Sequence, residues 1–496
     1  MAFPTTLIGA TRVMAESTRT VDIAIDVGTS VLKVAAVDGE ERIIAQRRSA
    51  IPLLQPAPGA ALQDVLAIEG LLRDLLQALA NDLGKRYRVE RVAWSCAMHS
   101  LLLADGHGQP LGPAYTWLDG RAATVARDCW DHGPGRRLYE RTGTPIHPIS
   151  PLIKLRWLRQ TAPTELTRAR HVLSIKEWLW WRSFGSYEVD AATASASGLL
   201  DIHCGQWSAE ALAYVDLDTG RLSRLVDRKW QRPLRPDDPI FPPQMAGASV
   251  YLGASDGVLA QWGMGAVRED VLGVSLGTSM AVRRYAARPQ LSRRTRNFAY
   301  RVDDHHWLVG TASNNGGPLL DWVRRRGFGA ETGFAEALAA AARATPSSLL
   351  CLPFLEGERA PLWRAEARAA FLDIDARDGP AEFLRAAVEG LFFTLRWLCE
   401  DLQARAPHPA KRLIASGHLF QTPWAAQLLA DMLALPVQVA ADTDVALLGA
   451  IRWARQDSAS TLDRSSAAVT PSALLPQSRH EDRYRRFRKA AQALYS

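Results

Sequence analysis

The chain has no apolar run near the roughly 20 residues that a membrane-crossing helix needs, so no membrane partner is expected. Cysteine is scarce. Cys96, Cys129, Cys204, Cys351 and Cys399 are widely separated, with no paired spacing. That excludes a readable disulfide framework or zinc site and leaves reduced, mostly buried thiols in a cytoplasmic protein as the reading. Long basic runs are also missing. The formal net charge of +7 is scattered along the chain, which argues against nucleic acid and suits anionic small molecules. No GxxxxGK[ST] loop, HExxH helix or EF-hand pattern occurs, which removes Walker-type nucleotide binding and those two metal chemistries. Residues 1–20 do not have the shape of a signal peptide, because Pro4, Thr5, Thr6 and Arg12 break their apolar segment. They read as a disordered N-terminal extension.

What is present is an ordinary globular composition, 47% hydrophobic and 22% charged. A chain of 496 residues has room for two or three domains, each with its own core. VDIAIDVGTSVLKVAAVDG, from Val21, reads as strand, glycine turn, strand. IEGLLRDLLQALANDLG has the leucine spacing of a helix, and VERVAWSCAM reads as a buried strand. The alternation is an α/β pattern. From Trp207 to Pro243 the chain is rich in proline and charge and leads to a boundary. An N-terminal domain is therefore expected over 21–247 and a C-terminal domain over 248–496. EFLRAAVEGLFFTLRWLCEDLQARA is a long amphipathic helix, and RYRRFRKAAQALY is a basic terminal helix that packs on its own domain.

One repeat carries most of the information. Asp26-Val-Gly28-Thr29-Ser30 returns as Ser275-Leu-Gly277-Thr278-Ser279 about half the chain later, each copy between two apolar strands. A period that long implies two similar domains rather than a solenoid. Exposed amides beside glycine, with Thr and Ser hydroxyls, bind phosphate. Either turn alone reads as an ordinary hairpin; a pair across a cleft can grip a triphosphate. Asp26 precedes the first turn, where a carboxylate either holds Mg²⁺ through water or caps the turn. Asp256, in GASDGVLAQWGMGA, opens an apolar helix near the expected boundary. A helix-opening aspartate is by default a cap. At a cleft it can instead take a hydroxyl proton during phosphoryl transfer. Met98 and His99 end a strand, and Trp117, Asp119 and Arg121 sit in TWLDGR. Together they make a pocket for a polyol, with an indole over the carbon skeleton.

These segments resemble the FGGY carbohydrate kinases. IDVGTSVLK, the MHS segment, TWLDGR, ASDGVLAQWG, VSLGTSMAV, LEGERAPLW, AVEGLFFTLR and ASGHLFQTPW follow the family's order from about Val21 to the C-terminal helix. The resemblance implies two actin-like (ribonuclease H-like) α/β domains flanking a catalytic cleft. It implies a kinase that uses ATP and Mg²⁺ on a small sugar or sugar acid, without nucleic-acid or membrane partners, and it is compatible with a homodimer. By resemblance Asp256 is the catalytic base and, with Asp26, a metal residue. Met98, His99 and Asp119 line the sugar site, with Trp117 and Arg121 nearby. Gly28, Thr29 and Ser30 form the first phosphate hairpin, Gly277 and Thr278 the second, and Gly417 with His418 the adenine-side loop. CAMHSLLLADGHGQPLGPAYTWLDGR, RTGTPIHPISPLIKLRWL and SIKEWLWWRSFGSYEVDAATASASGLLDI are similar to the family's gluconokinases, which implies conversion of D-gluconate and ATP to 6-phosphogluconate and ADP. The alternatives are a kinase for another polyol or a ketose such as xylulose, and a non-catalytic sugar- or nucleotide-binding relative.

A gluconate carboxylate calls for a cationic partner. Arg121, His147 and Lys154 are candidates, unless Lys154 snorkels from an apolar helix. The chain departs from the family at Gly417-His418, where a Gly-Gly pair is usual, and at Val31 and Leu32, where polar residues are common. A side chain at His418 opposes a positive φ, so an adenine site that is weaker, differently shaped or lost is expected.

Overall fold

The computed structural model describes residues 19–345, 347–441, 444–457, 468–472 and 477–495. Its frame is a pair of six-stranded sheets. In the first, β1 (Arg19–Val27), β2 (Val31–Val37) and β3 (Ile43–Ala50) form an antiparallel meander, and β4 (Tyr87–Cys96) lies parallel to β1. The short β5 (Gln231–Pro233) edges the sheet against β6 (Ser249–Ser255), which runs parallel to β4. In the second sheet β7 (Val271–Leu276) pairs antiparallel with β8 (Met280–Ala286). An outer strand, β9 (Phe298–Arg301), pairs with β10 (Trp307–Ser313), which pairs with β8. β11 (Arg412–Ser416) and β12 (Val437–Val439) run parallel beyond β7. Apart from one edge strand each, the sheets share one order: third, second, first, fourth, fifth.

The two faces of β1 differ in size for a reason. Val21, Ile23, Ile25 and Val27 point to one face and pack with Ile68, Leu72, Leu76 and Leu79, the helically spaced stripe of α1 (Val65–Leu83). The other face is small: Ala24, Ala35, Ala93 and Ala254 from neighbouring strands share a cluster with Leu447, Ala450 and Ile451. Small residues let α2 (Asp256–Met264) and α4 (Val445–Arg455), on either side of α3 (Pro380–Gln403) in the chain, come close to the sheet and to each other. At their crossing a Cβ on Gly449 would lie 1.7 Å from the Leu259 carbonyl, and one on Gly263 equally close to that of Val445. Ion pairs tie α4 and the residue before it to the first domain: Lys33–Asp444 at 2.5 Å, Arg455–Asp22 at 2.7 Å and Arg452–Glu41 at 2.8 Å. In the second domain α3 covers the sheet, and α5 (Gln477–Tyr495) adds Tyr484, Phe487 and Ala491 to the same core. The basic terminal helix therefore packs on its own domain.

Two expected boundaries shift. β1 begins at Arg19, two residues before Val21, while the reading of a disordered extension falls on residues 1–18, outside the described residues. β6 belongs to the first sheet, Val250 pairing with Val92 and Tyr251 with Ala93, so the chain leaves that sheet after Ser255 and not at 247. The pairing partner lies far away in sequence, so local composition could not reveal it. Cys204 is exposed and the other four thiols are buried and free. Among the described residues no helix is long and apolar enough to cross a membrane.

Candidate active site

The turns after β1 and β7 open on one cavity of about 230 Å³, which Thr29 reaches from the first and Ser279 from the second. In the first turn the Gly28 amide donates to the Val31 carbonyl at 3.1 Å. Trp117 Nε1 donates to Thr29 Oγ1, and Gln63 Nε2 to the Thr29 carbonyl, both at 2.8 Å. Ser30 is exposed at the tip. In the second turn the Gly277 amide donates to the Ser279 carbonyl at 3.0 Å, and the Gly317 amide braces the Gly277 carbonyl at 2.8 Å. Gly277 and Thr278 are exposed, with open space over Gly277. A phosphate can approach that backbone.

Gly417 follows β11, which lies beside β7. Its φ is +133°, and a Cβ there would come 2.1 Å from the Leu276 carbonyl, so only glycine fits. The expected conflict at His418 is absent. His418 is not among the residues with positive φ; it starts a 3₁₀ turn and its side chain is exposed. The left-handed position is Gly417 alone.

Asp26 Oδ1 accepts from Ser95 Oγ at 2.7 Å across the β1–β4 register. Burial raises its pKa, against the Ser95 hydrogen bond. Asp256 is the first residue of α2 and accepts from the adjacent Gly257 amide, at 2.7 Å, which is not the reach of an N-cap. Burial, then the charge of Asp26, pushes Asp256 up to about 6 against the pull of Arg283. Met98 supports this carboxylate with its backbone amide, which lowers the Asp256 pKa, and its Cε lies against Gly257.

His99 has φ +66°, a strained setting for a non-glycine residue. Its Nδ1 lies 2.6 Å from the Ala196 carbonyl, which can only accept, so Nδ1 carries the proton. Nε2 then accepts from the Tyr300 hydroxyl at 3.2 Å, a bond between the two domains. Burial pushes the His99 pKa down to about 3, so the ring is neutral.

Met98, His99, Trp117 and Asp256 thus share the cavity, whereas Asp119 and Arg121 do not line it. Asp119 is buried and takes the Arg121 guanidinium, Nη2 to Oδ2 at 2.6 Å, together with the Ala61 amide. The Arg121 guanidinium lies over Trp157 at 4.8 Å. The pair braces a loop. Lys154 does not snorkel: it is fully buried and donates to the carbonyls of Pro148 and Ile149, and burial pushes its pKa down to about 7. His147 lines an adjoining cavity of about 340 Å³ that shares Arg296 and Trp363 with the first.

Sequence reasoning passed over Arg283, Arg296, Tyr300 and Arg359, which line the cavity. One signal was available. β8 reads MAVRRYA, and two arginines in a strand buried on both faces require partners on both. Arg284 turns away and donates to the Glu269 carbonyl; Arg283 turns in and donates to Ser275 Oγ at 2.8 Å. Gly317, whose amide braces the second turn, was also missed.

Two paired turns on matching sheets, with a carboxylate and a polyol-sized cavity between them, coincide with a family match over both halves. Residues 21–231 match the N-terminal domain of the FGGY family of carbohydrate kinases, and residues 272–455 match its C-terminal domain. The chain belongs to this family. As an FGGY carbohydrate kinase it is a phosphotransferase that uses ATP and an alcohol acceptor. It is 30% identical over 455 residues to a gluconokinase of Bacillus subtilis (strain 168), covering 86% of each chain. It is 26% identical over 475 residues to a xylulose kinase of Lactococcus lactis subsp. lactis (strain IL1403), covering 93% of this chain and 94% of that one. The crystal structure of gluconate kinase from Lactobacillus acidophilus superposes with a TM-score of 0.89 at 26% identity, covering 96% of this chain and 99% of the other. The paired sheets are the actin-like domains of such kinases.

A divalent cation suits the carboxylates of this kinase. Asp26 and Asp256 are both partly exposed, and the charge of Asp26 raises the Asp256 pKa. Mg²⁺ typically takes one or two carboxylates and fills the rest of its shell with phosphate and water. Among the described residues no cluster of three or more His, Cys, Asp or Glu forms a closed cage.

Proposed function

We propose that this kinase transfers the γ-phosphoryl group of ATP to the primary hydroxyl of a sugar acid, converting D-gluconate to 6-phosphogluconate. The observation that supports this is the charge of the acceptor cavity. One carboxylate, Asp256, shares it with Arg283, Arg296 and Arg359, none of which has an ion-pair partner among the described residues. Asp256 and Glu358 act on Arg283 and Arg359 only at a distance, and partly buried cations short of a hydrogen-bonded anion are costly, so the cavity suits an anionic acceptor better than a neutral one.

In this reading Asp256 takes the proton of the attacking hydroxyl as the bond to phosphorus forms. Trp117 covers the carbon chain, Met98 backs the carboxylate, and neutral His99, fixed by Ala196 and Tyr300, orients a hydroxyl. The exposed amides and hydroxyls of residues 28–30 and 277–278 hold the phosphates, and the turn at Gly417 and His418 flanks the nucleoside. Asp26 and Asp256 would hold Mg²⁺, which when bound supplies neutralisation of phosphate charge.

The test is ADP release from magnesium-ATP with D-gluconate, D-xylulose, glycerol and other sugar acids. Turnover highest with gluconate is expected; turnover with xylulose alone would replace the substrate. Xylulose is the second reading, favoured by the likeness to the Lactococcus enzyme over most of both chains. Folded protein that turns over no acceptor and binds no nucleotide would defeat the reading.

A further inference from the structure

The cations that the sequence offered for an acceptor carboxylate are all engaged or neutral. Asp119 holds Arg121, backbone carbonyls hold Lys154, and burial lowers the His147 pKa. The cavity's own arginines remain, and they divide by position. Arg283 stands at the reacting end: it donates to Ser275 beside the second phosphate turn, and its charge acts on Asp256. Arg359 lies on the side of the adjoining cavity: its charge is the strongest of those acting on His147, which lines that cavity, and it meets the charge of Arg283 across Tyr300.

Arg359 is prepared for a ligand. Nη2 donates to the Ser313 carbonyl at 3.2 Å, which fixes the guanidinium, and the guanidinium faces the Trp117 ring at 5.6 Å. Its Nε, like that of Arg283, is buried with no hydrogen-bond partner among the described residues. The neighbouring Glu358 does not pair with it, because that carboxylate is occupied by Ser313 Oγ at 2.7 Å and Asn315 Nδ2 at 3.1 Å. The charge of Glu358 still acts on Arg359, but no carboxylate hydrogen-bonds it among the described residues; a fixed guanidinium with a free N–H matches a carboxylate held by two parallel bonds.

We propose that Arg359 binds the carboxylate of the acceptor at the end of the cavity away from Asp256, and so selects sugar acids over neutral polyols. This rests on the sugar-acid reading above. The acceptor then lies along Trp117, its carboxylate on Arg359 and its far hydroxyl at Asp256. Arg296 faces the same chamber but stacks on Trp130 at 4.1 Å, and adds positive charge without taking the direct contact.

The experiment compares kcat/KM for D-gluconate and for D-glucitol, which carries a CH₂OH in place of the carboxylate. It uses wild type, Arg359→Gln and Arg359→Lys, with the KM for ATP measured in each. Thermal melts establish that the variants fold. Arg359→Gln is expected to lower the gluconate-to-glucitol ratio by about 10–100-fold, the size of one charge-assisted pair. The loss should sit mainly in the KM for gluconate. Arg359→Lys should recover part of the ratio, since it keeps the charge but loses the fork. Gluconate binding to Asp256→Asn should weaken when Arg359→Gln is added, whatever happens to turnover. A folded Arg359→Gln enzyme that keeps the wild-type ratio overturns the assignment while leaving the sugar-acid reading intact. A rise in the KM for ATP with an unchanged ratio also overturns it, placing the guanidinium on phosphate instead. Wild type with no preference for gluconate over glucitol removes the sugar-acid reading, and Arg359's role with it.

Discussion

Asp256 joins two properties that rarely meet in an ordinary helix cap: it faces a cavity, and burial with a neighbouring carboxylate raises its pKa to about 6. Asp256→Asn is expected to cut kcat by about 10²–10⁴-fold, the usual share of general base catalysis, in an ADP-release assay. The wild-type profile should lose kcat/KM on the acid side with a midpoint at or below about 6, since any cation held against the carboxylate favours its ionised form. The sign for stability is opposite. The folded-state pKa lies above the ordinary 3.8, so this group favours folding most below 3.8, and the contribution is lost as pH rises towards about 6. In chelator, Asp256→Asn should therefore melt at or above the wild-type temperature at neutral pH, and that advantage should vanish below pH 3.8. A lower melting temperature at neutral pH would show that the carboxylate is structural.

Two elements concentrate the steric constraints. Where α2 crosses α4, backbone meets backbone at Gly263 and Gly449. Gly449→Ala forces the helices apart and is expected to cost about 2 kcal/mol or more in denaturant unfolding, as overpacking does. A change under about 0.5 kcal/mol would mean that the crossing yields easily. At the turn after β11 the constraint falls on Gly417 and spares His418. His418→Gly should change ATP affinity by less than about threefold, the effect of an ordinary surface substitution. Gly417→Ala should weaken ATP binding far more, because it displaces Leu276 beside the turn after β7. Equal effects of the two in a nucleotide titration would contradict this division.

At the scale of the molecule the groups lining the cavity come from both domains: Thr29, Met98, His99 and Trp117 from the first, and Ser279, Arg283, Tyr300 and Arg359 from the second. Closing one domain on the other about the α2–α4 crossing would exclude water and limit ATP hydrolysis. Small-angle scattering with gluconate and a non-hydrolysable nucleotide should show a smaller radius of gyration than the free protein; an unchanged radius would count against closure. The α/β alternation, the two glycine turns and the segments carrying Met98, His99, Trp117 and Asp256 were legible in the sequence, because each depends on a few consecutive residues whose pattern is local. Local pattern could not place β6 in the first sheet, bind Arg121 to Asp119, bury Lys154, or seat Arg359 without a partner opposite Trp117. An arginine reads the same in sequence whether a carboxylate meets it or not. Tertiary structure alone decides which charges are matched, because the partner is chosen by which strands and helices pack side by side.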